Sequence, residues 1–232
     1  GENRPIDLGY MNPISTHLEI ELNNRLNTLG TGSANAVWQV SLDWMVSPKI
    51  RLSGNLLYDE FVLDKIQFDE GKENGIAYSG RLSYTPIKTK ISQLSTYFSL
   101  ITIGTPTFRH GSGTNNFVIR DHPLGWKYGS DGTEVSTGFN YMKGNNIFVN
   151  GVVGKRKIGE ESITSRPYDV YEDYLAGSFP SGIVNEKNFY SLSMKWIWKL
   201  NLQFEAKVEW DDLDGSQLIF GTNIYFPKDF KL

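Results

Sequence analysis

The connections between the candidate β-strands of this chain alternate between short and long. About ten segments place apolar and polar residues in turn, which is the period of a strand with two different faces. The short connections are Val46–Lys49, Pro86–Gln93, Lys143–Asn146 and Lys199–Asn201, and the long ones are Asp59–Gly75, Gly104–Gly132 and Arg156–Lys187. An antiparallel meander with this rhythm has tight turns at one end and long loops at the other. The pattern is typical of an up-and-down outer-membrane β-barrel.

The sequence predicts ten strands and no convincing helix. The predicted strands are His17–Asn23, Ala36–Met45, Ile50–Tyr58, Ile76–Thr85, Leu94–Ile103, Glu134–Met142, Ile147–Lys155, Asn188–Lys199, Asn201–Trp210 and Gln217–Phe226. The fifth is the least regular, because Leu100 and Ile101 fall on opposite faces. The best helix candidate, Tyr168–Ala176, lies inside a long loop.

Strand length and aromatic placement favour a membrane over water. Several segments reach the roughly nine to eleven residues that a tilted strand needs to cross the hydrocarbon. Aromatic residues recur near strand ends on the apolar face, as interfacial girdles require. They are Trp38, Trp44, Tyr58, Tyr84, Trp198, Trp210 and Phe226. The alternative is a soluble β-sandwich or barrel, in which the same apolar faces pack on a protein core.

Composition narrows the possible partners and chemistry. The net charge is −3, so the chain lacks the basic excess of a typical nucleic-acid binder. Cysteine is absent, which excludes disulfides and thiol chemistry. No run of about 18 apolar residues occurs, so a transmembrane helix is not expected. We interpret residues 1–232 as a single barrel domain, truncated at its N-terminus, that needs no cofactor.

The polar strand faces are expected to line the barrel interior. Their charged residues are Asp43, Arg51, Arg81, Glu134, Lys155, Lys195, Glu205, Lys207 and Glu209. One interpretation is a polar path for an ion or solute. The other, which the side-chain-filled interiors of small barrels favour, is a lumen closed by salt bridges.

The loop Gly104–Gly132 is the first candidate binding segment. Loops of this length without regular structure are usually functional or disordered. Planar polar groups stand beside aromatic rings in it, a combination that suits the apolar CH face and hydroxyl rim of a sugar. The predicted contacts are Arg109, Arg120, Asp121, His122, Trp126 and Tyr128. The alternative is a loop that folds into the barrel mouth with Trp126 as its anchor.

Two further segments are weaker candidates. The loop Arg156–Lys187 carries Tyr168, Tyr171 and Tyr174 among acidic residues, which suits either a ligand contact or a solvated loop. The stretch Asp211–Gly215 resembles the start of a calcium loop, but the match stops at Gly215, so a hairpin turn is the better interpretation and no metal is predicted.

Catalytic motifs are missing from the sequence. His110 and His122 share a loop, but no Gly-x-Ser-x-Gly elbow, His-Glu-x-x-His pair or phosphate loop occurs, and His17 has no evident catalytic partner. We therefore expect a protein that is not an enzyme.

Several short motifs resemble the capsule-assembly Wzi family of Bacteroidetes-type bacteria. They are Asp121-His122-Pro123-Leu124-Gly125, then Gly129-Ser130-Asp131-Gly132-Thr133-Glu134, the opening Ile6-Asp7-Leu8-Gly9-Tyr10-Met11-Asn12-Pro13, Asn35–Val40 and Gly54–Phe61. Together they touch about two-thirds of the chain. The resemblance implies a barrel of roughly eighteen strands, of which this chain is the C-terminal part. It also implies a lectin-like attachment of capsular polysaccharide without catalysis.

These observations leave three functional hypotheses. The first is a bacterial outer-membrane barrel that binds surface polysaccharide, with its long loops outside, a lipid bilayer around it and other outer-membrane subunits as potential partners. The second is a porin or a component of a transport complex, which requires an open polar lumen. The third is a soluble β-sandwich lectin. None of them involves nucleic acid.

Overall fold

The computed structural model is all-β and is dominated by one antiparallel sheet. It describes residues 37–60, 62, 65–109, 118–119, 122–163, 175–199, 202–212 and 215–224. The strands are β1 (Trp38–Ser47), β2 (Ile50–Glu60), β3 (Gly75–Lys88), β4 (Ser92–Ile103), β5 (Val118–Ile119), β6 (His122–Pro123), β7 (Gly132–Lys143), β8 (Ile147–Ile158), β9 (Asn185–Lys199), β10 (Leu202–Asp211) and β11 (Gly215–Ile224). Within the described residues, nine of these strands form the sheet in chain order, and β5 pairs only with β6.

The sequence located all nine strands of this sheet. Each overlaps a predicted strand, and their ends differ by at most three residues. The tenth prediction, His17–Asn23, lies outside the described residues. The prediction of no helix was wrong for one turn, α1 (Lys65–Asp69), in the loop between β2 and β3. No helix in the described part of the chain is long and apolar enough to cross a membrane.

The short and long connections lie at opposite ends of the sheet, as predicted. Every neighbouring pair of strands is antiparallel, so successive connections must alternate between the two ends. The tight-turn end holds the β1–β2, β3–β4, β7–β8 and β9–β10 connections. The loop end holds the β2–β3, β4–β7 and β8–β9 loops, together with the β10–β11 hairpin.

One face of the sheet, the apolar face, carries two rows of aromatic residues. On four strands, two aromatic residues stand six positions apart, which is about 20 Å along a strand. The pairs are Trp38 with Trp44, Tyr78 with Tyr84, Tyr190 with Trp196, and Trp210 with Phe204. Rings of neighbouring strands touch within each row, because the Tyr190 and Trp210 rings stack at 5.2 Å and Trp196 lies 5.6 Å from Phe204.

The apolar face remains exposed between these rows. Val40 is 72% exposed, Leu42 53% and Leu192 50%. Described side chains that are both apolar and buried are few, and they lie at the loop end. Strand residues of the apolar face that lie between the two aromatic rows are uncharged in every described strand.

Charged residues on the apolar face are confined to its ends. Lys143 lies at the tight-turn end, and Lys155, Lys157 and Glu186 lie at the loop end. The placement of Lys155 on the polar face was wrong. Its cross-strand partner is Val135, so the register puts Lys155 on the apolar face and Arg156 on the polar face.

The opposite face, the polar face, is linked by ion pairs and hydrogen bonds. Arg51 pairs with Asp43, the Lys195 ammonium lies 3.2 Å from Glu205, and the Lys207 ammonium lies 2.7 Å from Glu209. Asn55 accepts a hydrogen bond from Ser41 at 2.8 Å and donates one to Ser79 at 3.2 Å. These contacts agree with the interpretation of a salt-bridged polar face.

Candidate functional site

At the loop end, the polar face carries an apolar patch. Leu57, Ala77 and Ile103 occupy consecutive cross-strand positions there, and Ile101 lies next to them. Phe108 from the β4–β7 loop is buried against this patch. The patch explains the irregular pattern of β4, because Ile101 faces the loop that folds onto the sheet. The break in alternation therefore marks where the candidate site is built.

Short polar contacts fix the start of the β4–β7 loop. The Thr107 hydroxyl donates a hydrogen bond to the Ile76 carbonyl at 3.0 Å, and the Phe108 N–H donates to the Asp59 carboxylate at 2.6 Å. Gly125, later in the same loop, lies against the Phe108 ring, where an added Cβ would stand 3.0 Å from a ring carbon. The loop is thus folded onto the sheet.

Asp131 joins the two longest loops. It is fully buried, and its carboxylate accepts hydrogen bonds from the Thr105 hydroxyl at 2.8 Å, the Glu161 N–H at 3.1 Å and the Ser181 N–H at 2.9 Å. The Ser181 hydroxyl adds a fourth at 2.5 Å. Four donors directed at one carboxylate satisfy the hydrogen-bonding capacity of its buried oxygens. Asp131, singled out only as part of a family signature, therefore organises the loop end.

A second set of contacts locks the same loops together. The Ser162 hydroxyl donates to the Tyr128 carbonyl at 2.9 Å, and the Ile163 N–H donates to the Ser130 hydroxyl at 3.0 Å. The Arg109 guanidinium lies 3.3 Å from the Glu161 carboxylate. Arg109 is only 2% exposed, so its guanidinium is buried between the two loops beside Glu161.

Trp126 and Tyr128, both predicted sugar contacts, have different surroundings. Trp126 packs against the apolar patch and hydrogen-bonds the Glu134 carboxylate. The Tyr128 ring meets Trp126 edge-on at 5.1 Å between ring centres. Trp126 thus has the anchoring position that a folded-in loop predicts, whereas Tyr128 lines an open cavity.

Arg156 lies between two aromatic rings. Its guanidinium carbon is 3.7 Å from the centre of the Tyr128 ring and 4.6 Å from that of Phe189. Gly154 is the cross-strand partner of Phe189, and a Cβ there would stand 2.5 Å from the Phe189 ring. The glycine therefore gives the ring room to lie flat on β8. Sequence reasoning missed Arg156, because its face depends on a register that the Lys155-Arg156-Lys157 run does not reveal.

The cavity beside Arg156 has a volume of about 290 Å³. It is lined by basic, acidic, hydroxyl and aromatic side chains at the loop end. The lining comprises Lys127, Tyr128, Arg156, Lys187, Phe189, Tyr190, Ser191, Glu209, Trp210, Asp211, Gly215 and Gln217. Three basic groups therefore stand against two acidic ones. Charged groups beside flat rings can hydrogen-bond hydroxyl or carboxylate groups while a sugar stacks on an aromatic ring.

A second, larger cavity opens under Trp126 on the polar face. Its volume is about 410 Å³. Apolar groups such as Phe108 and Leu57 form one side, and Gln39, Asn55 and Ser79 form the other. The loop end therefore offers two neighbouring concave surfaces, and Lys127 lines both of them.

Glu73, in the β2–β3 loop, adds a titratable group to this assembly. Burial raises the pKa of Glu73, and the nearby Asp131 carboxylate raises it further. The group is thus easier to protonate in the folded protein than in the unfolded chain.

The remaining predicted contacts lie on the surface or outside the described residues. His122 is exposed on β6. Arg120, Asp121, Tyr168, Tyr171 and Tyr174 lie outside the described residues. Asp211 pairs with Gly215 in the β10–β11 hairpin, as the turn interpretation predicts. Among the residues that the structure describes, no group of three His, Cys, Asp or Glu side chains could hold a metal ion.

Comparisons with protein-family models, curated proteins and solved structures found no match to this chain.

Proposed function

We propose that this chain forms part of an outer-membrane β-barrel that binds a surface polysaccharide at its loop end. The observation that carries the proposal is the exposed apolar face, bordered by two aromatic rows. In water such a surface would drive aggregation or association, whereas hydrocarbon between two interfaces matches it. The proposed role requires no catalytic step, and it agrees with the resemblance to the capsule-assembly Wzi family.

Barrel closure is part of the proposal. β1 and β11 end the sheet of the described residues. In hydrocarbon, the outer backbone groups of an edge strand need hydrogen-bond partners, because each unsatisfied group costs several kcal/mol. The proposal therefore includes strand pairing beyond both edges, either within this chain or with additional strands of a larger barrel.

The cavity at Tyr128 and Arg156 is the proposed polysaccharide site. It lies at the loop end, which the proposal places outside the cell, and the Asp131 contacts hold its walls in place. The cation–π contact with Arg156 orients the Tyr128 ring. The excess of basic over acidic groups favours a glycan with carboxylate groups.

Binding by the purified, detergent-folded chain tests this site. We expect Tyr128→Ala and Lys187→Gln to weaken retention on immobilised polygalacturonate by at least fivefold, with dextran as the neutral comparison. Tyr97→Ala and Lys195→Gln are matched controls, because Tyr97 also lies under an arginine and Lys195 shares a strand and face with Lys187. Equal losses in the controls, or unchanged retention in the site variants, would contradict the proposal.

A solute pore is the second candidate function. The cavity under Trp126 favours a pore, because it opens on the polar face between Gln39 and Ser79. Ion conductance across a planar bilayer, blocked when Ser79 is replaced by Trp, would favour the pore over the polysaccharide site. A chain that inserts but does not conduct would favour the latter.

A further inference from the structure

The apolar face contains a groove midway along β7, β8 and β9. Its volume is about 430 Å³, and its walls include Thr137, Phe139, Val153, Tyr190 and Leu192. The floor is low because Gly151 occupies the centre of β8. A Cβ at Gly151 would stand 2.4 Å from the Phe139 ring, so the ring lies directly on the backbone. The groove is therefore a depression in the apolar face whose floor is the backbone of β8.

Two lysines follow the groove on the same strand and face. Lys155 and Lys157 stand two and four residues after Val153, so Lys155 begins about 7 Å further toward the loop end. Both contact one carboxylate, that of Glu186, and the Lys157 ammonium is 3.1 Å from it. Two ammonium groups against one carboxylate leave a net positive charge. The Lys155 side chain is also 50% exposed.

We infer that this groove and the two lysines bind an anionic phospholipid. One acyl chain lies in the groove between Val153 and Leu192, and the headgroup phosphate contacts Lys155 and Lys157. The groove lies nearer the middle of the sheet, and Lys155 and Lys157 lie nearer its loop end. An acyl chain and its headgroup have the same order in a bilayer leaflet, with the headgroup at the membrane surface. The inference rests on the proposed membrane location, but it concerns the face opposite the polysaccharide cavity.

The other end of the same face provides a comparison. Lys143 ends β7 at the tight-turn end, where its register partner on β8 is Ile147. Lys155 stands two residues from the groove wall at Val153, whereas Lys143 stands four residues from the groove wall at Phe139, on the opposite side. Charge near the membrane surface alone would make all three lysines equivalent. A built lipid site would make Lys155 and Lys157 different from Lys143.

Native mass spectrometry of the full chain in detergent micelles tests the inference. Phosphatidylglycerol is the probe, and phosphatidylcholine is the comparison without net charge. We expect the double variant Lys155→Gln, Lys157→Gln to lose phosphatidylglycerol binding at least fivefold, and Lys143→Gln to retain it. Val153→Trp, which fills the groove, should also reduce binding, whereas Val40→Trp on β1 of the same face should not.

Glu186→Gln separates a lipid site from a structural ion pair. If the lysines bind phosphate, removing the competing carboxylate should increase phosphatidylglycerol binding about two- to fivefold. If the three groups only stabilise each other, Glu186→Gln should decrease binding as the lysine variants do, and the inference is overturned. Equal binding of both lipids, or equal loss in Lys143→Gln, also overturns it.

Folding and membrane location are measured separately in the same samples. A heat-dependent shift in gel migration reports a folded barrel for each variant. A parent chain that stays in the aqueous phase without detergent would overturn both the proposed function and this inference. A chain that inserts and binds polygalacturonate but shows no lipid preference would overturn only the lipid site.

Discussion

The guanidinium carbon of Arg156 lies 3.7 Å from the centre of the Tyr128 ring. Arg156 belongs to β8, and Tyr128 belongs to the loop that follows β6, so the contact ties a loop to the sheet. Arg156 is 3% exposed, and Phe189 covers its other side at 4.6 Å. The contact therefore contributes to the stability of the site wall as well as to its shape.

Arg156→Met should remove the cation and keep most of the side-chain volume. A desolvated cation–π contact contributes about 2 kcal/mol, so the free energy of unfolding should fall by about that amount. Arg81→Met is the control, because Arg81 lies 4.3 Å from the Tyr97 ring but is exposed, and about 0.5–1 kcal/mol is expected there. Urea unfolding from lipid vesicles measures the free energy of unfolding of both variants. An equal loss of stability in the two would contradict the role of burial.

Asp131→Asn should loosen the two longest loops while the strands remain paired. The variant loses the charge that several donors share, and one charged hydrogen bond is worth about 1.5–3 kcal/mol. We expect limited proteolysis to cleave Asp131→Asn between residues 104 and 131 or between 159 and 184 at least tenfold faster than the parent chain. Asp212→Asn, which alters an exposed carboxylate bonded to Asn188 at 2.8 Å, should leave cleavage in those loops unchanged. Slow cleavage in both variants would show that Asp131 does not hold the loops.

Glu73 should make the stability of the loop end depend on pH. Burial, followed by the Asp131 carboxylate, raises the folded-state pKa of Glu73 above its ordinary value of 4.5. The folded protein then binds the proton more tightly than the unfolded chain, so stability falls as pH rises from 4.5 through the raised value. Glu73→Gln should remove this contribution to the change of stability with pH. The rate of loop proteolysis across pH 4–8 measures this pH dependence. The same dependence in the parent and in Glu73→Gln would contradict the prediction.

Neighbouring positions on β1 test which face meets lipid. Leu42→Arg puts a charge on the apolar face between the aromatic rows, where an arginine at the bilayer midplane costs about 2–4 kcal/mol. Ser41→Arg puts the same charge on the polar face and should change the free energy of unfolding by less than about 1 kcal/mol. Folding yield into vesicles provides a second readout. A larger loss of stability in Ser41→Arg than in Leu42→Arg would contradict the assignment of the apolar face to lipid.

The strands were predictable because alternation depends only on neighbours in the chain. Nine strands were located, and even the irregular β4 carried information, since Ile101 faces the apolar patch. The face of Lys155 was not predictable, because β8 extends past the predicted strand end and its register is set by β7 and β9. The one-turn helix Lys65–Asp69 is too short to give a helical period.

The site was predictable in part. Trp126 and Tyr128 stood out as aromatic residues in a polar loop, and the structure brings them together. Arg156, Phe189 and Asp131 are joined to them by contacts between loops and strands that are distant in the sequence. Short-range patterns do not encode such contacts. Arg109, in contrast, had the residue type of a ligand contact but is buried by its ion pair with Glu161.

Tryptophan fluorescence tests most directly whether the apolar face meets lipid. Five of the six tryptophans lie on that face, and the sixth is Trp126 at the loop end. In the variant Trp126→Phe, all emission therefore comes from the apolar face. In vesicles with brominated acyl chains, we predict that this emission falls by more than half, while aqueous iodide has little effect. Strong quenching by iodide with no effect of the brominated chains would contradict the membrane-facing assignment.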